Sequence, residues 1–294
     1  MDSAKAVEKA YMTRIFAFLF LLSSALSFAG LSARAQQPRP SPSPQTARHT
    51  PQARTQAEYA DYNAANAIST GAAMEKAAND FAAKYPDSEL RSFLYSKAMH
   101  NYQAENNPAK MLAMGERVLT YDPDNPVALV LTATVLSDNL TENDPDRVNK
   151  TAEIQKNAGR VLQTIDSAFV PPPGATADQI KGYKDTLRSM AHSAIGIMSL
   201  KDKDDARAEA ELKLSADLLS APDPYVWYHL ALAQDHQGKY AEALSSVQKA
   251  LKYTSANPEL GKLASGERDR LILLTHQETP SGQQAPGNSS QPPH

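Results

Sequence analysis

From Ala57 to His276 the apolar residues recur at steps of three and four, and no stretch alternates β-branched with polar residues between turn signals. The pattern predicts an all-α chain. Ile154, Ala158, Val161, Ile165 and Ala168 step by four, three, four and three after Asp144-Pro145, which predicts a helix of about six turns. After Pro171 to Pro173, Thr176 and Gln179 form a capping box ahead of Ile180, Tyr183, Leu187, Met190, Ala194 and Ile197, the stripe of an equally long helix. These two over-long neighbours within 145–200 are expected to project beyond the edge of the array. Leu260, Leu263, Arg270, Leu271 and Leu274, with charged residues interleaved, read as a terminal helix with a polar outer face.

The other helices come in pairs, divided by Tyr85-Pro86-Asp87-Ser88, Tyr121-Asp122-Pro123-Asp124-Asn125-Pro126, Ala221-Pro222-Asp223-Pro224 and Ala256-Asn257-Pro258-Glu259. Proline cannot extend a finished helix but suits the first turn of the next, where Asp, Ser or Asn accepts from the free amides. Each mark therefore closes one helix pair and opens another.

Outside this span the pattern changes. Ile15 to Leu31 is uncharged and apolar, preceded by Lys5, Lys9 and Arg14 and followed by Ala33-Arg34-Ala35, the layout of a secretory leader cleaved between Ala35 and Gln36. An uncleaved anchor is the alternative. Cleavage would place the chain in the periplasm or outside the cell, with no further stretch apolar enough to span a bilayer. Of twenty prolines, five fall between Pro38 and Pro51 and four between Pro280 and Pro293. Residues 36–56 have no aliphatic side chain larger than alanine and read as a Pro-rich linker; 277–294 read as a disordered tail, leaving 57–276 as the helical domain.

Formal net charge is -3, and removing residues 1–35 leaves 26 basic against 31 acidic residues, so there is no cationic excess to bind a phosphate backbone. The chain has no cysteine, which excludes disulfides, thiolate metal sites and lipidation at cysteine.

Residues 224–257, PYVWYHLALAQDHQGKYAEALSSVQKALKYTSAN, carry Trp227, Leu230, Ala231, Gly238, Tyr240, Ala243 and Ala250 at positions 4, 7, 8, 15, 17, 20 and 27. This segment resembles a tetratricopeptide repeat, with Gln234 standing where an aromatic is usual and Ser255 where proline is. Looser repeats open at Ser92 and Pro126, and Phe81 with Tyr85-Pro86-Asp87-Ser88 resembles repeats of bacterial cell-envelope proteins. The resemblance implies a right-handed α-solenoid of antiparallel helix pairs, with small residues where helices approach and Trp227 packed against the preceding repeat. It also implies a concave groove lined by Tyr225, Tyr228, Leu232, Asp235 and His236 in the best-matched repeat. The matching positions earlier are Phe93, Ser96, His100 and Gln103, and Tyr59 and Asn63. Repeats that clamp a terminal carboxylate use Lys and Asn where Tyr228 and Leu232 stand, so that mode is not expected.

No nucleophile elbow, phosphate loop, dinucleotide fingerprint or H-E-x-x-H motif occurs, so no catalytic residue and no cofactor is expected. His229 and His236, seven apart beside Asp235, are conceivable metal ligands but read more simply as polar helix surface, so no metal is assigned. The expectation is an exported, non-enzymatic scaffold that binds a protein or peptide partner in the cell envelope. The alternative is a periplasmic carrier or assembly factor holding a polysaccharide or lipid in the groove.

Overall fold

A computed structural model describes residues 51–171, 174–255 and 257–278. The expected leader, most of the Pro-rich stretch and the segment after 278 lie outside the described residues. Within them the chain forms eleven helices and no strand: α1 (Gln56–Asn66), α2 (Gly71–Lys84), α3 (Arg91–Ala104), α4 (Pro108–Tyr121), α5 (Pro126–Asn139), α6 (Arg147–Ala168), α7 (Ala177–Lys201), α8 (Asp205–Asp217), α9 (Pro224–His236), α10 (Tyr240–Leu251) and α11 (Pro258–Glu278). Each helix packs on the next, and α1 touches α3, α5 touches α7, α7 touches α9 and α9 touches α11. The described residues thus form an array of helix pairs in which odd-numbered helices lie side by side, α1 with α3 and α5 through α11 in succession, consistent with the solenoid that the repeat pattern implies.

Local chemistry sets the boundaries. Asn107, Asn125, Asp223 and Asn257 each accept a backbone amide of the following first turn, at 3.2, 3.0, 2.9 and 3.1 Å. The capping box of α7 is present, with Gln179 N donating to Thr176 Oγ1 at 3.2 Å and Thr176 N to Gln179 Oε1 at 2.9 Å. Three of the turns inside pairs share one device. Asn106 (φ 54°), Lys203 (φ 62°) and Gly238 (φ 72°) stand in the left-handed region. The next residue's amide then reaches back to Tyr102 O (2.9 Å), Ser199 O (2.9 Å) and Gln234 O (3.0 Å), which satisfies a carbonyl at the helix end. Only the third turn has the glycine that makes it visible in sequence.

The largest core cluster runs through α1 to α7 and includes Met74, Leu94, Met99, Leu131, Ile154 and Leu187, all at most 1% exposed. Burying each such side chain is worth about 1.5–3 kcal/mol. A second cluster joins Ile197 and Leu212 to Tyr225, Val226, Leu230 and Leu260, and a third joins Ala231, Ala243 and Val247 to Ala264 and Leu271. Where α7 meets α8 the contact is close: a Cβ on Gly196 would lie 2.6 Å from Leu212 Cγ, so only glycine fits.

The centre departs from a regular repeat. In α5, Pro126 and every residue from Ala128 to Ser137 are buried. A helix apolar all round must be covered on every side, and α4, α6 and the long α7 do so. Lys201, at the end of α7, donates to Ser137 O at 2.8 Å and to Asp138 O, meeting the negative end of α5. Arg147 Nη2 donates to Lys201 O at 2.8 Å, which ties the start of α6 to the same point. The long helices α6 and α7 close their far end with their own contacts: Phe169 and Tyr183 rings at 6.3 Å, and Asp166 held by Lys184 (3.1 Å) and Arg188 (2.7 Å).

Candidate binding surface

The best-matched repeat was expected to present aromatics to a groove, and α9 instead spends most of them on packing. Tyr225 is fully buried among Ile197, Leu212 and Leu260. Its hydroxyl accepts from Asn257 Nδ2 at 2.7 Å, while Asn257 Oδ1 accepts from Leu260 N at 3.1 Å and so caps α11. Tyr225 is therefore a core residue and not a groove residue; the docking of α11 decides this. Tyr228 is half-buried between the second and third clusters, and burial first, then the charge of Glu267, pushes its hydroxyl pKa up.

Asp235 is ion-paired with Arg270, which also holds Glu267 at 2.9 Å; those two acids keep the guanidinium more firmly protonated than usual. His236 is exposed, but its Nδ1 lies 2.9 Å from Asp205 Oδ1 on α8. Leu232 is half-buried. Trp227 packs against the second cluster as expected, yet remains half-buried, with Lys249 Nζ 4.2 Å from its ring centroid. Gln234 carries a polar network in place of the usual aromatic: it donates to Glu209 Oε1 at 3.3 Å and accepts from Ser246 Oγ at 2.7 Å.

The tetratricopeptide-repeat family model matches residues 224–257. This stretch is α9, α10 and the turn into α11. No curated protein matches the chain. The repeat match and the all-helical array together support a tetratricopeptide-repeat protein, and repeats of this kind suggest protein partners.

One repeat length separates Tyr59 from Phe93, and these two aromatics stand open, 43% and 38% exposed, on the side-by-side helices α1 and α3. Asn63 is exposed one turn beyond Tyr59, and Ser96 and His100 are half-buried on α3. Gln103 is buried, with Oε1 3.4 Å from His100 Nδ1. Burial lowers the pKa of His100, the bond to Gln103 opposes that, and the nearby Lys97 ammonium lowers it further. The sequence-predicted positions thus split: Tyr59, Asn63 and Phe93 are open, Ser96 and His100 are half-buried and Gln103 is buried, whereas α9 loses Tyr225 and Asp235 to packing and pairing.

Lys97 was not picked out by the sequence reading. It lies half-buried one turn beyond Phe93, and the signal available was only its spacing from Phe93 and His100 on one helix stripe.

Among the described residues no group of three or more His, Asp or Glu could hold a metal ion, and no helix is long and apolar enough to cross a membrane. His229 and His236 do not share an environment. Burial first, then the Lys201 charge, brings His229 down to about 4, with Tyr225 and Tyr228 rings at 6.3 and 5.9 Å, while His236 sits at the exposed edge.

Proposed function

We propose that this protein is an exported, non-enzymatic scaffold of the bacterial cell envelope that binds a partner protein through the side-by-side helices α1 and α3. The observation that carries the reading is the pair Tyr59 and Phe93, large aromatics left open at equivalent places one repeat apart. Neither is enclosed by the array, and aromatic side chains supply much of the energy of protein interfaces at small entropic cost. The leader-like residues 1–35 support export, with cleavage before Gln36.

Proximity labelling with the full chain tests the binding reading, run beside a Tyr59→Ala/Phe93→Ala double variant that keeps its helicity and melting temperature. A reproducible partner lost in the double variant supports it. The same partners captured by both proteins would overturn the surface assignment. Amino-terminal sequencing of protein recovered from its native cell tests export: a start at Gln36 supports it, and an intact Ile15–Leu31 segment would refute it.

A further inference from the structure

Half-buried cations in this protein have partners, with one exception among the described residues. Arg147 and Lys150 hold Asp202 and Asp144, Lys184 and Arg188 share Asp166, and Lys201 reaches the carbonyls that end α5. Lys97 has no carboxylate, carbonyl or ring against it. The acids of neighbouring α1 do not meet it: Asp61 accepts from Lys84 and from Tyr85 Oη at 2.5 and 2.7 Å, and buried Glu58 accepts from Arg54 N at 2.7 Å through Oε2 while its Oε1 has no partner. Lys97 thus brings to this face a positive charge that no acid among the described residues answers.

Phe93 and Lys97 are four residues apart on α3 and so neighbours on one face, with Tyr59 one repeat away on α1. A ligand lying across this face meets two open aromatics and an unmatched positive charge. We propose that the α1 and α3 face takes an internal acidic segment of the partner protein, in which an Asp or Glu side chain pairs with Lys97 and an adjacent apolar or aromatic side chain lies on Phe93 and Tyr59. This rests on the scaffold reading above and narrows it. A phosphate polymer is the poorer match, because the chain as a whole is acidic and this face offers one cation. A chain-terminal carboxylate is also poorer, since its capture calls for several convergent donors.

The test is selection from a library of random dodecapeptides with amidated C-termini against the full chain, followed by affinity measurement of the selected peptides at low and high salt. Selected sequences should place Asp or Glu beside Leu or an aromatic. Lys97→Met, which keeps the apolar stem, should weaken them about fivefold and flatten their salt dependence. Lys97→Arg should retain binding, and peptides with Glu changed to Gln should bind wild type and Lys97→Met alike. Phe93→Ala should weaken every selected peptide. Neutral or basic peptides that need Phe93 but not Lys97 would overturn the acidic assignment while leaving the scaffold reading intact. Selection of nothing, or of peptides indifferent to Phe93→Ala and Tyr59→Ala, would overturn both. Circular dichroism of each variant establishes that losses reflect the surface and not the fold.

Discussion

Replacing Tyr225 by phenylalanine removes one oxygen from the largest fully buried side chain among the described residues. The ring and its packing against Leu212 and Leu260 stay, while the hydroxyl that accepts from Asn257 Nδ2 at 2.7 Å is removed. Both partners are shut off from solvent, Tyr225 at 0% and Asn257 at 5% exposure, so water cannot replace the lost acceptor. The Asn257 amide is then buried without that bond, a cost of about 1–3 kcal/mol. For a helical domain of this size each kcal/mol lowers the melting temperature by roughly 2–4 °C. Asn257→Ala removes the same bond and also the cap on α11, which adds about 1 kcal/mol. The double variant should fall short of the sum of the singles by at least about 0.5 kcal/mol, because the two residues share one bond. Urea unfolding followed by circular dichroism measures all three. If Tyr225→Phe melts like wild type, or weakens partner binding without changing stability, Tyr225 faces a ligand and the docking of α11 described above is wrong.

Trp227→Ala should cost about 1–3 kcal/mol, below the 3–5 kcal/mol of a fully enclosed aromatic, because the residue is only half-buried, with Lys249 over its ring; chemical denaturation decides between the two ranges. Lys203→Gly should stabilise by about 0.5–1 kcal/mol, since φ 62° is strained for lysine and free for glycine; a loss of stability would show that the lysine side chain, which meets Glu142 at 3.1 Å, outweighs the backbone. His229 is held neutral in the fold, with its pKa down at about 4, whereas the unfolded chain titrates near 6.5. Between those values the unfolded state binds more protons, so this stabilisation is complete above pH 6.5 and is lost as pH falls toward 4, by up to about 3 kcal/mol. His100, shifted the same way by burial, adds to the slope. Melting temperatures of wild type and His229→Phe from pH 7.5 to 4 check this: the variant should be the flatter of the two.

Periodicity made the helices legible, and Gly238, Trp227 and the paired alanines made one repeat legible down to its register. The fate of Tyr225 was not, because position in a repeat says which layer a side chain faces, not whether a later helix will lie on it; Asn257, 32 residues on, decides that. The turns at Asn106 and Lys203 were hidden for a different reason. Their backbone adopts the glycine conformation without glycine, so the pattern that marks a helix pair is absent though the geometry is present. The run VALVLTATVL in α5 did carry a signal that went unused: with no polar face, it could not line an open groove. The exposure of Tyr59 and Phe93 falls at two positions that the repeat spacing had picked out. Lys97 had no such signal, since being unpaired depends on where every nearby acid went.

The knot of Lys201 and Arg147 at the ends of α5, α6 and α7 bears on how this architecture can change length. In a regular array one unit can be deleted or duplicated, because each meets its neighbours through equivalent faces. Here α7 caps α5, takes Arg147 on its last carbonyl, packs on α8 and meets α9, so its two faces belong to different environments. Excision of a 34-residue unit from this region would leave α5 with bare carbonyls and an uncovered apolar side, whereas growth is tolerable only toward either end. The middle of the protein is a fixed keystone, and lineage-to-lineage variation in repeat number should be confined to the stretches before α5 and after α8.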